Sequence, residues 1–393
     1  MQVMTESGRE IHTYFLEHKA DFIELLRSLV EQETPSDDPS SFKEVFSILR
    51  KSFEDLGYSV EHRPGETTAG ELVCKPDDFD PDAPSQLLVG HIDTVWDTGT
   101  LNEMPFSIQD NIGTGPGIFD MKAGVCMMIF AMKAIRKLGR SPDVQPVFII
   151  SSDEEIGSFE SKDIIVEEAK QAERTFILEP ALGREGKIKT ERKGIGLYEI
   201  DIKGTPSHAG LDPEKGSSAI LALSNIVQQL IELNDPLNGI NVNIGKIEGG
   251  ERANVIAAKS KAIVDVRVPT KEDGERINEQ IYNLKSEEKG IEVKISGGIR
   301  RLPLEKKEAN QRLWEITQSL GNELDMELQE TATGGVSDGN FTNLYSPTID
   351  GLGAVGEGAH AYHEKIFLEE TLKRAELLTL LLLHPSLKVE PET

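Results

Sequence analysis

The chain has 393 residues, with 42 Lys plus Arg against 68 Asp plus Glu, a formal charge of −26. Neutralising phosphates needs a basic face, so this balance argues against nucleic acid as a partner. An apolar content of 38% supports real cores, and at ~150 residues per domain the length suits two or three domains. The two cysteines, Cys74 and Cys126, stand in separate segments without a CxxC and read as buried small hydrophobes in a reducing compartment. The acidic N-terminal segment lacks the basic start and unbroken apolar core of a signal peptide, and no run of ~18 apolar residues follows. The sequence therefore reads as cytoplasmic, with no membrane partner.

Ile11, Tyr14, Phe15, Phe22, Ile23, Leu26, Leu29 and Val30 recur at helical spacing, which predicts an amphipathic helix from about Glu10 to Glu31. A second helix, Phe42–Leu56, stops at Gly57. Short apolar runs follow at Gln86–His91, Val144–Ser152 and Thr175–Glu179, with helical patterns at Ala123–Leu138 and Lys162–Ala172 between them. That alternation predicts an α/β layer with a largely parallel sheet. The segment PDDFDPDAP (76–84) reads as an exposed acidic loop.

Between 190 and 301 the grammar changes to strand (Gly196–Lys203), helix (Ser217–Leu233), strand (Asn241–Ile247), strand (Ala262–Val268), helix (Lys271–Lys289) and strand (Ile291–Ser296). This βαββαβ order is the ferredoxin-like arrangement. The segment holds 16 Lys plus Arg and 17 Asp plus Glu, so nearly all the acidity belongs to the rest of the chain. After Leu302 the α/β grammar resumes, with a helix near Gln311–Leu320, a strand near Pro347–Asp350 and a helix at Leu368–Leu383. The expected organisation is an α/β body made of 1–189 and 302–393, interrupted by an inserted unit at 190–301.

Several acidic and histidine residues sit where predicted strands run into loops, the usual place for ligands in open α/β sheets. His91 and Asp93 lie in LLVGHIDTV, Asp120 in GPGIFDMKAG before a helix, Glu154 and Glu155 in IISSDEEIGS, and Glu179 in FILEPA. Each alone reads as a satisfied polar residue. Together they follow the most apolar strands of the chain, and gathering carboxylates at a buried edge is unfavourable unless cations neutralise them. Mixed His and carboxylate donors without cysteine suit zinc, cobalt or manganese in a catalytic site.

With these residues in view, the chain resembles the dinuclear zinc exopeptidases and deacylases, the family of glutamate carboxypeptidase (carboxypeptidase G type), acetylornithine deacetylase, succinyl-diaminopimelate desuccinylase and aminoacylase. The likeness runs in order through GHIDTV, GPGIFDMKAG, DEEIGS, LEP, GTPSHAG, GGERANVI, Asp265-Val266-Arg267, GGVSDGNF and GEGAHAYHE. The glutamate carboxypeptidase branch fits best, through GPGI before Asp120 and DEEIGSFESKDII followed by EEAK. The resemblance implies a catalytic body with an inserted lid that serves as the dimer interface, and two Zn2+ per subunit, replaceable by Co2+ or Mn2+. Asp120 would bridge the two ions, His91 and Glu179 would complete one site, and Glu155 and His360 the other. Asp93 would orient the His91 ring and Glu154 would be the general base. It also implies a cis peptide between Asp120 and Met121, and makes His208 of GTPSHAG an oxyanion donor to a neighbouring subunit. GEGAHAYHE offers two histidines; His360 is assigned because it precedes Glu364 by four residues, and His363 is the alternative.

The acidic body should repel a free carboxylate, so a carboxylate-reading enzyme needs local cations, and Arg267, Arg300, Arg301 and the amide of Asn254 are the candidates. The resemblance assigns that role to Asn254, Arg267 and Arg301, with Gly334 and Gly335. It implies hydrolysis of an amide bond beside a carboxylate in a small peptide, or alternatively deacylation of an N-acyl amino acid. A lid joined to the body by two crossings, near 190 and 302, is expected to close around substrate. Two rival readings come from other classes. Gly335-Val336-Ser337-Asp338-Gly339 matches the serine-hydrolase elbow, followed by Asp350 and His360, although the preceding ELQETATGG is too polar for the elbow strand. A non-catalytic scaffold is the other, disfavoured because the acidic cluster is complete.

Overall fold

The computed structural model describes residues 4–387, which divide into two compact units. Within the described residues, the first unit takes the chain up to Thr190, Lys306–Ala332 and everything from Ser337, and the second takes Glu191–Glu305 with Thr333–Val336. Compared with the expected 190–301, the second unit runs on to Glu305 and also takes a short piece of the glycine-rich segment, Thr333–Val336.

In the first unit the N-terminal amphipathic pattern forms two helices, α1 (Glu6–Glu17) and α2 (Lys19–Val30), rather than one. The apolar spacing continues through His18, but its backbone leaves the helical region there. The His18 ring packs on Tyr14, and its Nδ1 lies 2.7 Å from the Asp21 carboxylate. Helix α3 (Lys43–Glu54) follows, and Gly57, at φ +75°, ends the turn that leads into the sheet. Strands β1 (Tyr58–Arg63), β2 (Glu71–Pro76), β3 (Ser85–His91), β4 (Gln145–Ser151) and β5 (Ala172–Ile177) alternate with α4 (Ala123–Lys137) and α5 (Lys162–Gln171).

Strand β3 runs parallel to both β4 and β5. The sheet is parallel from β4 onward, as expected, and antiparallel at its other side, where β2 is antiparallel to β4 and β1 antiparallel to β2. Leu88, Phe148 and Phe176 face the core that includes α4, while Val89, Val147, Ile149 and Ile177 pack with Ile164 and Ile165 of α5. Burial on both faces is why these strands are almost unbroken apolar runs.

The second unit is a four-stranded antiparallel sheet with β6 (Gly194–Lys203), β7 (Asn241–Gly249), β8 (Lys259–Val268) and β9 (Glu292–Arg301), in spatial order β7-β8-β6-β9. Helices α6 (Ala219–Glu232) and α7 (Lys271–Tyr282) share its core: Tyr198, Ile200 and Ile202 of β6 and Val264, Val266 and Val268 of β8 cluster with Ala222, Ile226 and Ile277. Alternate residues of β6 and β8 are buried, the pattern of a sheet covered on one face. Helix α7 ends at Tyr282 instead of Lys289, because the following KSEEK offers no apolar residue to that core. The chain returns to the first unit with α8 (Glu308–Glu323), the short strand β10 (Thr348–Ile349) parallel to β5, and α9 (Leu368–Leu383) packed on α4.

Candidate metal centre

Parallel strands deliver their C-terminal ends to one sheet edge, and there the acidic motifs meet. His91 closes β3 opposite Ser151 of β4. Glu154 and Glu155 follow β4, and Glu179 follows β5 by two residues. Asp120 lies in the turn before α4, whose Gly124 approaches the segment leading to Glu179 so closely that a Cβ would stand 2.2 Å from the Leu178 carbonyl oxygen. His360 comes from the loop before the strand Lys365–Phe367.

These residues form two donor groups, His91–Asp120–Glu179 and Asp120–Glu155–His360, each with its ligand atoms within 4.8 Å of one another. His91 Nε2 is 3.3 Å from Asp120 Oδ1 and 3.5 Å from Glu179 Oε1. His360 Nε2 is 3.4 Å from Asp120 Oδ2 and 3.1 Å from Glu155 Oε2. Asp120 thus presents one oxygen to each imidazole. The donor chemistry fits a pair of divalent cations sharing a carboxylate, two imidazoles and three carboxylates with no thiolate.

The surrounding groups fix these donors. His91 Nδ1 donates to the Asp93 backbone oxygen at 3.0 Å, which leaves Nε2 as the ligating nitrogen. The Asp93 carboxylate lies 3.3 Å from the same Nδ1, accepts the backbone N–H groups of Glu154 and Glu155 at 3.3 and 3.1 Å, and accepts Ser36 Oγ at 2.7 Å. One buried aspartate therefore holds a ligand from each group. The Asp120–Met121 peptide is cis, the conformation the resemblance implies, and Gly117, at φ +69°, makes the turn before it. Glu364 accepts four N–H groups, three of them from that turn.

Crowded carboxylates perturb every group here. Burial lowers the proton affinity of His91, but Asp120, Asp93 and Glu179 together hold its pKa well above the usual imidazole value. Asp120 and Glu155 push His360 up to about 10. Burial would raise Asp120, yet the two histidines hold it far below the usual carboxylate range, whereas burial dominates at Glu155 and raises it. The site demands positive charge, which protonated imidazoles supply only at the expense of their ligating lone pairs. Burial also pushes the Glu364 carboxyl up to about 7, against the pull of its N–H partners.

The structure thus brings together His91, Asp93, Asp120, Glu155, Glu179 and His360, and places Glu154 in the turn beside Glu155. His363 is exposed and belongs to neither donor group. In the second unit, exposed His208 and Asn254 lie on neighbouring segments, joined by the Ala209 N–H to the Asn254 oxygen at 3.0 Å. Arg267 commits Nε and Nη2 to Asp265 at 2.8 and 3.1 Å, leaving Nη1 3.4 Å from the Gly334 oxygen. Arg301 is buried at the end of β9. Arg192, missed in the sequence, donates to the Gly335 and Val336 oxygens at 3.3 and 3.1 Å and so shapes the same glycine pair.

Ser337 corrects the serine-hydrolase alternative. Its side chain is fully buried, Oγ donates to Asp350 and accepts the Gly339 N–H, and His360 belongs to the Asp120–Glu155 group instead. A nucleophile needs an open face and an imidazole partner, and Ser337 has neither here. Ser36 and Glu364 also escaped the sequence reading. The only available sign was the glutamate four residues after His360, which served there to choose between histidines.

The model of the peptidase family M20/M25/M40 matches residues 87–384. Carboxypeptidase G2 of Pseudomonas sp. (strain RS-16) is 28% identical over 351 residues, covering 86% of this chain and 83% of that protein. Acetylornithine deacetylase of Proteus mirabilis (strain HI4320) is 28% identical over 265 residues, covering 63% and 66%. Aminopeptidase PepT of Bacillus cereus ATCC 10987 superimposes with a TM-score of 0.77 at 22% identity, over 93% of this chain and 96% of that one. The YXEP protein of Bacillus subtilis, described as a dinuclear metal binding peptidase from the M20 family, superimposes with a TM-score of 0.68 at 15% identity, over 93% of this chain and 97% of that one. The family match spans most of the chain and includes both donor groups, so this chain belongs to the peptidase family M20/M25/M40.

Proposed function

We propose that the protein hydrolyses an amide bond next to a free carboxylate and releases a C-terminal amino acid, as a glutamate-type carboxypeptidase. The observation that carries this reading is the pair of donor groups sharing Asp120, with Glu154 in the turn beside Glu155. His91, Asp120 and Glu179 would hold one zinc ion and Asp120, Glu155 and His360 the other, with Co2+ or Mn2+ as substitutes. Such ions supply Lewis acidity that polarises the scissile carbonyl and lets water lose a proton near neutral pH. Glu154 takes that proton on its carboxylate and delivers it to the departing nitrogen, ending the cycle ionised as it began. Asp93 keeps the His91 proton on Nδ1 throughout.

Residues 1–189 and 302–393 form the catalytic domain in this reading, and 190–301 a lid and dimerisation domain. Asn254, Arg267, Arg301, Gly334 and Gly335 hold the substrate carboxylate, a role supported by the approach of Arg267 Nη1 to the Gly334 oxygen. A homodimer is supported by the second unit alone: β7 is an edge strand with Ile247 exposed, and Ile220, Leu221 and Ile231 are exposed on α6. His208 then serves as oxyanion donor to the partner subunit's site. Sedimentation velocity at micromolar concentration tests this, and a monomer that is fully active refutes it.

The likeness to acetylornithine deacetylase favours one second reading, an N-acyl-amino acid deacylase. A hydrolysis panel of peptidyl- and acyl-glutamates, N-acetylornithine and small dipeptides, with added zinc or cobalt, separates the two. The carboxypeptidase reading expects glutamate release, loss of activity on chelation, and a kcat lowered by roughly a hundredfold or more in Glu154→Ala. Preference for N-acetylornithine over every C-terminal glutamate substrate would favour the deacylase, and normal activity in Glu154→Ala would remove Glu154 as the base.

A further inference from the structure

Glu364 is 1% exposed and points into the turn that ends at Asp120. Its Oε1 accepts the N–H groups of Phe119 at 2.9 Å and Asp120 at 3.1 Å. Its Oε2 accepts the Gly117 N–H at 3.0 Å and the Trp96 indole Nε1–H at 2.9 Å. All four partners are donors, so both oxygens must act as acceptors. A carboxylate satisfies every one of these groups, whereas a carboxamide of the same shape would turn its NH2 against two N–H groups and leave them buried and unmatched.

The placement adds a second constraint. Glu364 lies on the segment that also carries His360, and the backbone it grips belongs to Asp120, the residue whose Oδ2 sits 3.4 Å from His360 Nε2. Holding the N–H groups of Gly117, Phe119 and Asp120 fixes where the shared carboxylate emerges relative to that histidine. His360 itself adopts φ +60°, a left-handed conformation uncommon for a residue with a Cβ, so the segment between it and the tether is held in a specific shape.

We propose that Glu364 is a positioning residue, a carboxylate clamp that grips the Gly117–Asp120 turn and the Trp96 indole and so sets the Asp120 carboxylate between the two donor groups. Its action is on Asp120 rather than on substrate, and its consequence for metal binding rests on the functional reading given above.

Glu364→Gln, Glu364→Asp and wild type, stripped with chelator, are compared by amide hydrogen exchange and by zinc titration against a competing chelator. Packing alone predicts that the isosteric Gln variant behaves like wild type and the shorter Asp variant is worse. The clamp predicts the reverse order. Exchange at 117–120 rises about tenfold or more in Glu364→Gln and less in Glu364→Asp, and zinc affinity falls about 10–100-fold in the Gln variant. Wild-type exchange and affinity in Glu364→Gln would overturn the clamp. Should that variant fail to fold, Glu364→Asp and Glu364→Asn decide: the two side chains have one length, so packing predicts equal exchange at 117–120, the clamp predicts faster exchange there in the Asn variant, and equal exchange refutes it. A wild-type protein that binds no zinc refutes the functional reading, while the exchange data on stripped protein still settle the clamp.

Discussion

The two donor groups share a carboxylate, each adds one glutamate with a largely buried side chain and one histidine, and they differ in how that histidine is held. Around His91 the side chains are closed in: His91 is 1% exposed, Glu179 10% and Asp120 14%, and the imidazole is fixed through Nδ1 by Asp93. Around His360 the imidazole is 51% exposed and comes from a loop in a left-handed backbone conformation. A buried ligand whose orientation is set before binding loses less entropy on coordination than an exposed one. The same centre therefore pairs a buried imidazole fixed through its second nitrogen with an imidazole open to solvent.

The severest break is at the residue the groups share. Asp120→Ala removes a donor from both, and the expected outcome is near-zero bound metal with hydrolysis reduced more than about a hundredfold, beyond the usual cost of disturbing a supporting residue. Metal analysis and kcat/KM on the same preparation check it, and retention of two ions per chain would exclude the shared assignment. A smaller effect sharpens the asymmetry. His360→Ala should leave about one ion per chain, because His91, Asp120 and Glu179 remain intact, whereas His91→Ala should lose the more slowly released ion. In wild type, timed chelation should accordingly show two phases. A single phase, or identical losses in the two variants, would mean that burial does not distinguish the groups.

The parts of this centre that were legible in the sequence are those that follow apolar strands. His91, Glu154, Glu155 and Glu179 stand at the ends of runs whose burial on both faces is written in their composition, and the resemblance then ordered them around Asp120. The inserted βαββαβ unit was legible for a related reason, since alternate burial on β6 and β8 leaves a period-2 pattern. What escaped were the supports. Glu364 and Asp120 are 244 positions apart and Ser36 and Asp93 57 apart, and a hydrogen bond between distant loops imposes no periodicity on either. Strand β1 escaped because YSVEHR is mostly polar at the sheet edge, and β2 because ELVCKP offers only a short apolar run. The break at His18 escaped because apolar spacing runs straight across it.

A crowded carboxylate outside the centre shows what the histidines contribute. Glu71 on β2 is buried near Asp153, and that burial, with repulsion from Asp153, raises its pKa from 4.5 to about 7 despite Arg63. No imidazole joins it in a donor group, so a proton rather than a metal ion relieves the charge. Between pH 4.5 and about 7 the folded state keeps a proton that the unfolded state has lost, and stability falls as pH rises through that window. Above it the cost is constant. Glu71→Gln should therefore raise stability at pH 8 by about 1 kcal/mol, roughly 2 °C in Tm, and give no gain near pH 4.5. Melts of wild type and variant at both pH values, with and without zinc, measure this. The gain should be unchanged by zinc, in contrast to every substitution among the donors; a gain that persists at low pH, or that vanishes on adding zinc, would tie Glu71 to packing or to the metal centre instead.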